Sequence, residues 1–340
     1  MKEIVIPLLD WFKKNKRDLD WRKNPTPYTV LISEVMLQQT RVETVRSYYK
    51  NFIEALPNFK ALAECPEEKL LKLWEGLGYY SRARNLKKCA IQIMNQYDGV
   101  FPKDYRKALE LPGVGMYTCG AILSIAYHQK YAAVDGNVLR VLTRYTACSS
   151  NILLDKTKQY FKDKIEEILP EDAGGFNESL MELGATICMP KVVRCDICPI
   201  HRNCKAYQTN TIQSFPNKAK PKEKRIFEYT CLFVTDGKHY ILLPKEDNVL
   251  KGMASPFLVD RFLSSNDAAD FLEEHQFSVL HIVNLNDKKH IFTHQIWYMK
   301  GYLIFVRDLL SYPKYTKEQI KNQISIPTCF KKFIDEMNLN

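Results

Sequence analysis

Four cysteines fall inside residues 188–204, spaced Cys188-x6-Cys195-x2-Cys198-x5-Cys204. No other feature narrows the architecture of this 340-residue chain so much, because side chains drawn to one centre close the backbone between them into a loop. Thiolates are soft ligands that suit zinc or an iron–sulfur cluster. Zinc ribbons usually set two Cys-x-x-Cys knuckles across a longer stretch. Here there is one knuckle, and all four thiols share a compact loop. That favours a cubane cluster over zinc, and either over chance clustering. Lys191, Arg194, His201, Arg202 and Lys205 interleave the loop and can balance the thiolate charge or meet phosphates. The other six cysteines (Cys65, Cys89, Cys119, Cys148, Cys231 and Cys329) are scattered, mostly in apolar segments. In a reducing compartment they read as small buried hydrophobes.

The formal net charge of +10 suits an acidic partner, nucleic acid being the commonest, although a merely soluble basic protein has the same balance. An aromatic content of 12% excludes a disordered basic tail. The N-terminal residues lack the apolar core of a signal peptide and the Arg- and Ser-rich character of a transit peptide. No stretch reaches the roughly 18 apolar residues of a membrane span. The expectation is a cytoplasmic or nuclear protein, nucleoid-associated if bacterial, with no membrane partner.

The length suggests two domains. Residues 1–208 read as helical, with apolar residues at helical spacing in Val30-Leu31-x3-Val35, Leu70-x2-Leu73-Trp74 and Ala121-Ile122-x2-Ile125-Ala126. Pro57, Pro66, Gly76, Gly78, Pro102, Pro112-Gly113 and Pro170 punctuate them. Residues 209–226 form a basic linker whose core, Ser214–Arg225, carries two prolines. From 227 to 340 the apolar period becomes two. Tyr229–Thr235 and His239–Leu243, joined by Asp236-Gly237, predict a hairpin with a primed turn. Strands are predicted at Ser278–Leu285, Lys289–Met299 and Tyr302–Val306, and helices over Asn266–His275 and from Thr316. The second domain is α+β. No internal repeat or low-complexity segment is present.

Leu111-Pro-Gly-Val-Gly115 runs directly into a predicted helix. Glycines at 113 and 115 let backbone amides face outward, and the helix N-terminus adds its positive dipole end, so a phosphate can sit there. A tight helix–helix turn would use the same residues. Glu34 lies on a predicted helix with Val30, Leu31, Leu37 and Gln38 as its near neighbours. Burial against that apolar face would raise its pKa and keep it protonated near neutrality, ready to act as a general acid. A surface or helix-supporting glutamate is the plainer alternative. Asp135 precedes an apolar-periodic run and reads as a helix N-cap, which engages one carboxylate oxygen and leaves the other free.

Taken together, the Leu-Pro-Gly-Val-Gly string, an aspartate about twenty residues on and the cysteine loop resemble the helix–hairpin–helix glycosylase superfamily. Ser33-Glu-Val-Met-Leu-Gln-Gln-Thr40 is similar to the catalytic-glutamate motif of its MutY-type adenine DNA glycosylases. Tyr117 stands where the endonuclease III type places a Schiff-base lysine. Gly76–Arg82, Val134–Val138 and Phe176–Gly184 also match, so the likeness covers residues 1–210 closely. It implies a mostly α catalytic region, built as a six-helix barrel plus a domain holding one [4Fe-4S] cluster on Cys188, Cys195, Cys198 and Cys204. A small α+β Nudix-like domain would follow. The implied substrate is duplex DNA with adenine opposite 8-oxoguanine or guanine, acted on by a monomer. Glu34 would protonate the flipped adenine, Asp135 would stabilise the oxocarbenium-like sugar, and Tyr117 and Asn137 would orient sugar and water. Arg22 and Glu178 would line the base pocket. Gln39, Leu77 and Tyr79 would fill or wedge the base stack, and Gly113 and Gly115 would hold the DNA backbone.

The likeness is looser beyond the linker. The Nudix hydrolase pattern is missing, so no nucleotide hydrolysis is expected. Phe292-Thr293-His294 is similar to the family's Phe-Ser-His loop that reads 8-oxoguanine, with Thr293 keeping the hydroxyl. A joint contact by all three needs a turn or bulge, because a regular strand puts Thr293 opposite the other two. Lys251–Phe257 lacks the family's Trp, which is missing near Ala254. Two other functions fit parts of the chain. An endonuclease III-like glycosylase and lyase on damaged pyrimidines is opposed by Tyr117. A non-catalytic iron–sulfur DNA sensor would need neither Glu34 nor Asp135.

Overall fold

The computed structural model describes residues 1–219, 223–245, 250 and 252–338. Residues 220–222 of the expected linker and Lys251 of the departing segment lie outside them. The described chain forms two compact units, Met1–Glu64 with Arg84–Lys220, and Cys65–Ala83 with Pro221–Asn340. The sequence expectation assigned residues 65–83 to the first region, whereas in the fold they cluster with the second.

The helices of the first part are α1 (Val5–Asn15), α2 (Pro27–Leu37), α3 (Val42–Ala55), α4 (Phe59–Glu64), α5 (Glu67–Leu73), α6 (Ser81–Gln96), α7 (Tyr105–Leu109), α8 (Met116–Ile125), α9 (Gly136–Thr146), α10 (Asp155–Glu166), α11 (Ala173–Thr186) and α12 (Lys205–Gln208). Of these, α5 lies in the second unit. Among the described residues no helix is long and apolar enough to cross a membrane. Helix α2 begins at Thr26, which exchanges capping hydrogen bonds with Thr29, and has Pro27 in its first turn. Every residue from Val30 to Met36 is buried. A helix with no solvent face lies in the core, so Glu34 is buried by its neighbours' apolarity rather than by any motif of its own.

Close approach of α8, α9 and α11 depends on glycine. A Cβ at Gly120 would stand 2.0 Å from the Ala132 carbonyl oxygen, and one at Gly184 would stand 2.7 Å from Asn137 Cβ. The missing side chains bring the segment before Asp135 against α8, and the start of α9 against α11. Buried Asn177 then accepts from the Ala133 amide at 3.1 Å and donates to Ser124 Oγ and the Tyr131 carbonyl, both at 2.9 Å. The backbone leading to Asp135 is thereby fixed.

In the second unit, β1 (Arg225–Thr235), β2 (His239–Ile241), β3 (Leu243–Pro244), β4 (Ala254–Ser255), β5 (Phe257–Val259), β6 (Val279–Ile291), β7 (Gln295–Val306) and β8 (Lys314–Thr316) accompany α13 (Ser265–Glu274), α14 (Lys317–Asn322) and α15 (Thr328–Glu336). The main sheet runs β6-β7-β1-β2-β8, with β5 also on β1, while β3 and β4 pair separately. Among the described residues, β1 and β7 are the one parallel pair. Alternation divides the core by face. Cys231, Phe233, Trp297 and Met299 pack with Phe330 and Phe333 of α15. Leu232, Val234, Tyr302 and Ile304 pack with Ala268 and Leu272 of α13.

Two strand expectations need correction. The three predicted strands, Ser278–Leu285, Lys289–Met299 and Tyr302–Val306, are one long hairpin, β6 and β7, broken at residues 292–294. Bulges between Val279 and His281 and between Leu285 and Lys288 disguised the period. The predicted two-residue primed turn is a wider loop, in which Thr235 pairs with Tyr240. Asp236 Oδ1 accepts from the amides of Lys238 and His239, and this Asx turn sets the loop length.

Candidate active site

A cleft of about 760 Å³ in the first unit is lined by Arg22, Glu34, Gln39, Tyr117, Asp135, Asn137 and Glu178, among others. All the carboxylates and polar groups expected in the base pocket and reaction centre therefore share one cavity. Leu77 and Tyr79 belong to the second unit. The two differ: Leu77 is 6% exposed and Tyr79 is 45% exposed. A wedge role for both needs both exposed, but only Tyr79 projects.

Glu34 is 7% exposed. Burial raises its pKa to about 7, with Asp135 and Glu178 adding to the rise and a hydrogen bond from Tyr117 opposing it. The Tyr117 hydroxyl donates to Glu34 Oε2. Burial, and then the facing carboxylates, push the Tyr117 pKa well up, so the phenol keeps its proton. Asp135 caps α9 through its Oδ1, which accepts from the Val138 amide at 2.7 Å, and its Oδ2 accepts from Asn137 Nδ2 at 2.7 Å. Burial raises its pKa, and these two donors hold against that rise. Capping and any chemistry are thus shared out between the two oxygens of one carboxyl.

Arg22 Nε donates to Glu178 Oε1 at 2.8 Å, and its Nη2 to Glu182 Oε2 at 2.9 Å. Glu182, buried to 1% exposure, also accepts from Arg17 Nε at 2.7 Å and Arg17 Nη2 at 2.9 Å. Burial would raise its pKa, but the hydrogen bonds from Arg17 and the charge of Arg22 outweigh burial and lower it. Glu178 goes the other way, raised by burial despite Arg22. This paired network sets one side of the cleft, and a buried charge pair of this kind specifies geometry more than it adds stability.

The turn before α8 separates the two glycines of the hairpin. Gly113 has φ +79° and would bring a Cβ within 2.9 Å of Asn85 Cβ, so only glycine fits. Gly115 is the N-cap of α8 with φ −92° and open space beside it. Its smallness leaves the helix N-terminus uncovered.

Cys188, Cys195, Cys198 and Cys204 line one cavity with Arg144, Arg194, His201 and Tyr207. Burial raises the pKa of Cys195, Cys198 and Cys204, and the neighbouring thiols raise it further. Among the described residues no group of three or more His, Cys, Asp or Glu converges closely enough to hold a metal ion.

Sequence reasoning missed the residues that connect these parts. Arg140 Nη2 donates to Asn137 Oδ1 at 2.9 Å, and its Nε donates to the Cys188 carbonyl at 2.8 Å. Arg144, 2% exposed, donates to the carbonyls of Met189, Pro190, Ile212 and Phe215 and stands 3.3 Å from Cys188 Sγ. One buried cation thus ties both flanks of the cysteine loop. The available signal was two arginines, one turn apart, on a helix whose other residues over Val138–Tyr145 are apolar except Thr143.

In the second unit, Phe292, Thr293 and His294 occupy the turn between β6 and β7, as a joint contact requires. The Phe292 ring packs on Trp297 at 4.8 Å and His290 at 4.5 Å, leaving Thr293 and His294 exposed. The Thr293 hydroxyl lies 2.6 Å from that of Tyr79.

The sequence model of the HhH-GPD superfamily of base excision DNA repair proteins matches residues 32–171. An adenine DNA glycosylase of Buchnera aphidicola subsp. Baizongia pistaciae is 34% identical over 339 residues, covering 97% of this chain and 95% of its own. The Rattus norvegicus adenine DNA glycosylase is 41% identical over 211 residues, covering 59% of this chain and 41% of its own. Among solved structures, a thermostable thymine-DNA glycosylase aligns with a TM-score of 0.57 and 31% identity over 61% of this chain and 96% of its own. A trapped endonuclease III–DNA covalent intermediate, at 24% identity and TM-score 0.53 over 62% of this chain and 98% of its own, shares the fold. With a full-length likeness to one adenine DNA glycosylase and the superfamily's match across Glu34, the hairpin and Asp135, the chain belongs to the adenine DNA glycosylases of base excision repair.

Proposed function

We propose that the protein hydrolyses the N-glycosidic bond of adenine opposite 8-oxoguanine or guanine in duplex DNA, with Glu34 as general acid and Asp135 as stabiliser of the sugar cation. The observation that carries this reading is the pair of carboxyls in one cleft, one of them held protonated near neutrality by burial. A stacked base cannot reach such a cleft, so the adenine flips out. Glu34 gives its proton to adenine N7, the bond from C1′ to N9 breaks, and the electron pair leaves with the base. The Asp135 carboxylate faces the cation that remains, and water adds to C1′ while its proton returns to Glu34. Asn137 and Tyr117 orient sugar and water. A phenol forms no imine, which supports hydrolysis without strand cleavage by a lyase step. Arg22 and Glu178 hold the base side of the pocket, Gln39 and Tyr79 fill the stack, and the amides after Gly113 and Gly115 hold a phosphate.

Cys188, Cys195, Cys198 and Cys204 would hold one [4Fe-4S] cluster. Four mutually repelling thiols around one space, with Arg144 and Arg194 beside them, form a donor set that needs cationic iron to ionise together. Such a cluster would hold the 188–204 loop in shape and would supply no electron to this hydrolysis. Phe292, Thr293 and His294 read the 8-oxoguanine. A monomer acting on cytoplasmic or nucleoid DNA suffices for this chemistry.

The test is excision from duplexes with adenine opposite 8-oxoguanine, adenine opposite guanine, and thymine glycol. Adenine release in the first two is expected, with E34Q slower by about 10²–10⁴-fold. Thymine glycol release with borohydride-trapped strand cleavage overturns the assignment, as does E34Q excising adenine at the parent rate.

A further inference from the structure

The turn that carries Tyr79 is rigid in itself. Trp74 Nε1 donates to the Gly78 carbonyl at 3.1 Å, and Arg82 Nη2 donates to the carbonyls of Leu77 and Gly78, both at 3.1 Å. The Arg82 guanidinium lies 5.4 Å from the Trp74 ring and 5.5 Å from the Tyr79 ring. Gly76 (φ 102°), Gly78 (φ 69°) and Tyr79 (φ 49°) all take left-handed backbone, so the turn has one shape. Whatever fixes α5 therefore fixes the Tyr79 hydroxyl.

Helix α5 is fixed by the C-terminal part of its own unit. Lys72 Nζ donates to the Ile324 carbonyl at 3.0 Å and reaches the Ile320 carbonyl at 3.5 Å, while pairing with Glu75 at 2.7 Å. These are the carbonyls at the end of α14 and just beyond it, where a cation is favoured. Ser325 Oγ, buried, donates to the Leu71 carbonyl at 3.3 Å. The Ser325 carbonyl in turn accepts from the Ala254 amide at 3.0 Å. The 292–294 turn has its own support, since Phe292 packs on Trp297 and Trp297 on Phe330 of α15, which follows α14. The circuit closes where Tyr79 and Thr293 meet at 2.6 Å.

We propose that Lys72, with Ser325 as its second anchor, is a positioning residue for specificity: it sets the spacing between the Tyr79 turn and the Phe292–His294 turn, so that the two read the base opposite adenine as one surface. The inference rests on the reading of Phe292–His294 as the 8-oxoguanine contact. Lys72 touches neither DNA nor the reacting atoms in this scheme. Its loss frees the hydroxyl pair to drift and blunts the distinction between 8-oxoguanine and guanine, while the chemistry at Glu34 is untouched.

The experiment uses the full chain and single-turnover excision of adenine opposite each of the two purines. K72M is expected to lower the preference for 8-oxoguanine about three- to tenfold, with excision opposite guanine within about twofold of the parent. K72R is expected to restore the preference to within about twofold, and amides 76–80 to exchange hydrogen faster in K72M but not in K72R. If K72M does not fold, S325A carries the same expectation at the smaller end of that range. T293A separates the two claims. If T293A lowers the preference and neither K72M nor S325A does, the clamp is wrong. If T293A leaves the preference intact, the reading of the 292–294 turn fails and takes the clamp with it. Equal loss opposite both purines in K72M also overturns it, since that is general destabilisation.

Discussion

The Tyr117 phenol donates its hydrogen to Oε2 of Glu34 inside the cleft, where Glu34 is buried and Tyr117 half-buried. A donor to a carboxylate favours its charged form, so Tyr117 holds Glu34 below the pKa that burial alone would give. The acid must be protonated to act, and excision is therefore expected to fall as pH rises through about 7. Y117F removes the donor, raises the Glu34 pKa and moves that fall to higher pH. Single-turnover rates from pH 5 to 9 check it. A fall that moves to lower pH in Y117F contradicts the role given to the hydrogen bond.

The same shift carries a stability consequence. The Glu34 pKa rises from an ordinary 4.5 to about 7 in the folded protein. Below 4.5 the carboxyl is neutral in both states and costs nothing. Above 7 the folded protein must hold a buried charge, which costs about 3 kcal/mol. E34Q is expected to be more stable than the parent above pH 7, with the gap closing as pH falls to about 4. Urea unfolding at several pH values measures it, and a gap independent of pH would show that Glu34 is not buried as a neutral acid.

At Asp135 the cap and the charge can be pulled apart. Asn caps a helix nearly as well as Asp, so D135N should lose no more than about 1 kcal/mol. Adenine excision should nonetheless fall by about 10²-fold or more, because no negative charge faces the sugar. D135A should lose both. Equal activity of D135N and the parent would reduce Asp135 to a cap.

Arg144→Met leaves the carbonyls of Met189, Pro190, Ile212 and Phe215 without this donor. The expected cost is about 3 kcal/mol or more, with less iron retained per chain. R144K keeps the charge, but its single ammonium cannot span four carbonyls, so an intermediate loss is expected. Full iron content in R144M would mean that the cysteine loop holds its shape alone.

A Cβ at Gly120 would stand 2.0 Å from a backbone oxygen that cannot move without shifting the chain towards Asp135. G120A is expected to cost about 3 kcal/mol and to reduce excision. G136A is the contrast, since nothing lies within 4 Å of its added carbon. It should gain about 0.5 kcal/mol by restricting the unfolded chain. Thermal unfolding of the pair distinguishes steric from general effects.

The reading from sequence succeeded where the signal is local. The burial of Glu34 follows from apolar neighbours within one turn, and the Asp135 cap from the run behind it. The shared cavity of the four cysteines was legible because all four lie within one short loop. It failed where the deciding partner is remote. Leu77 is buried and residues 65–83 change units, and neither fact is written near those positions. The hydrogen bond from Lys72 to Ile324 spans 252 residues, a separation that no periodicity records. Arg140 and Arg144 went unremarked in the sequence, because their partners include carbonyls 44 or more residues later.

Because the backbone passes from one unit to the other at 64/65, returns at 83/84 and crosses again at 220/221, the two are interleaved in sequence. A chain cut in the linker would keep Lys72 and lose the carbonyls and hydroxyl that hold its helix. The C-terminal part is therefore not a cassette. A single cut there leaves residues 65–83 apart from the strands and helices they cluster with.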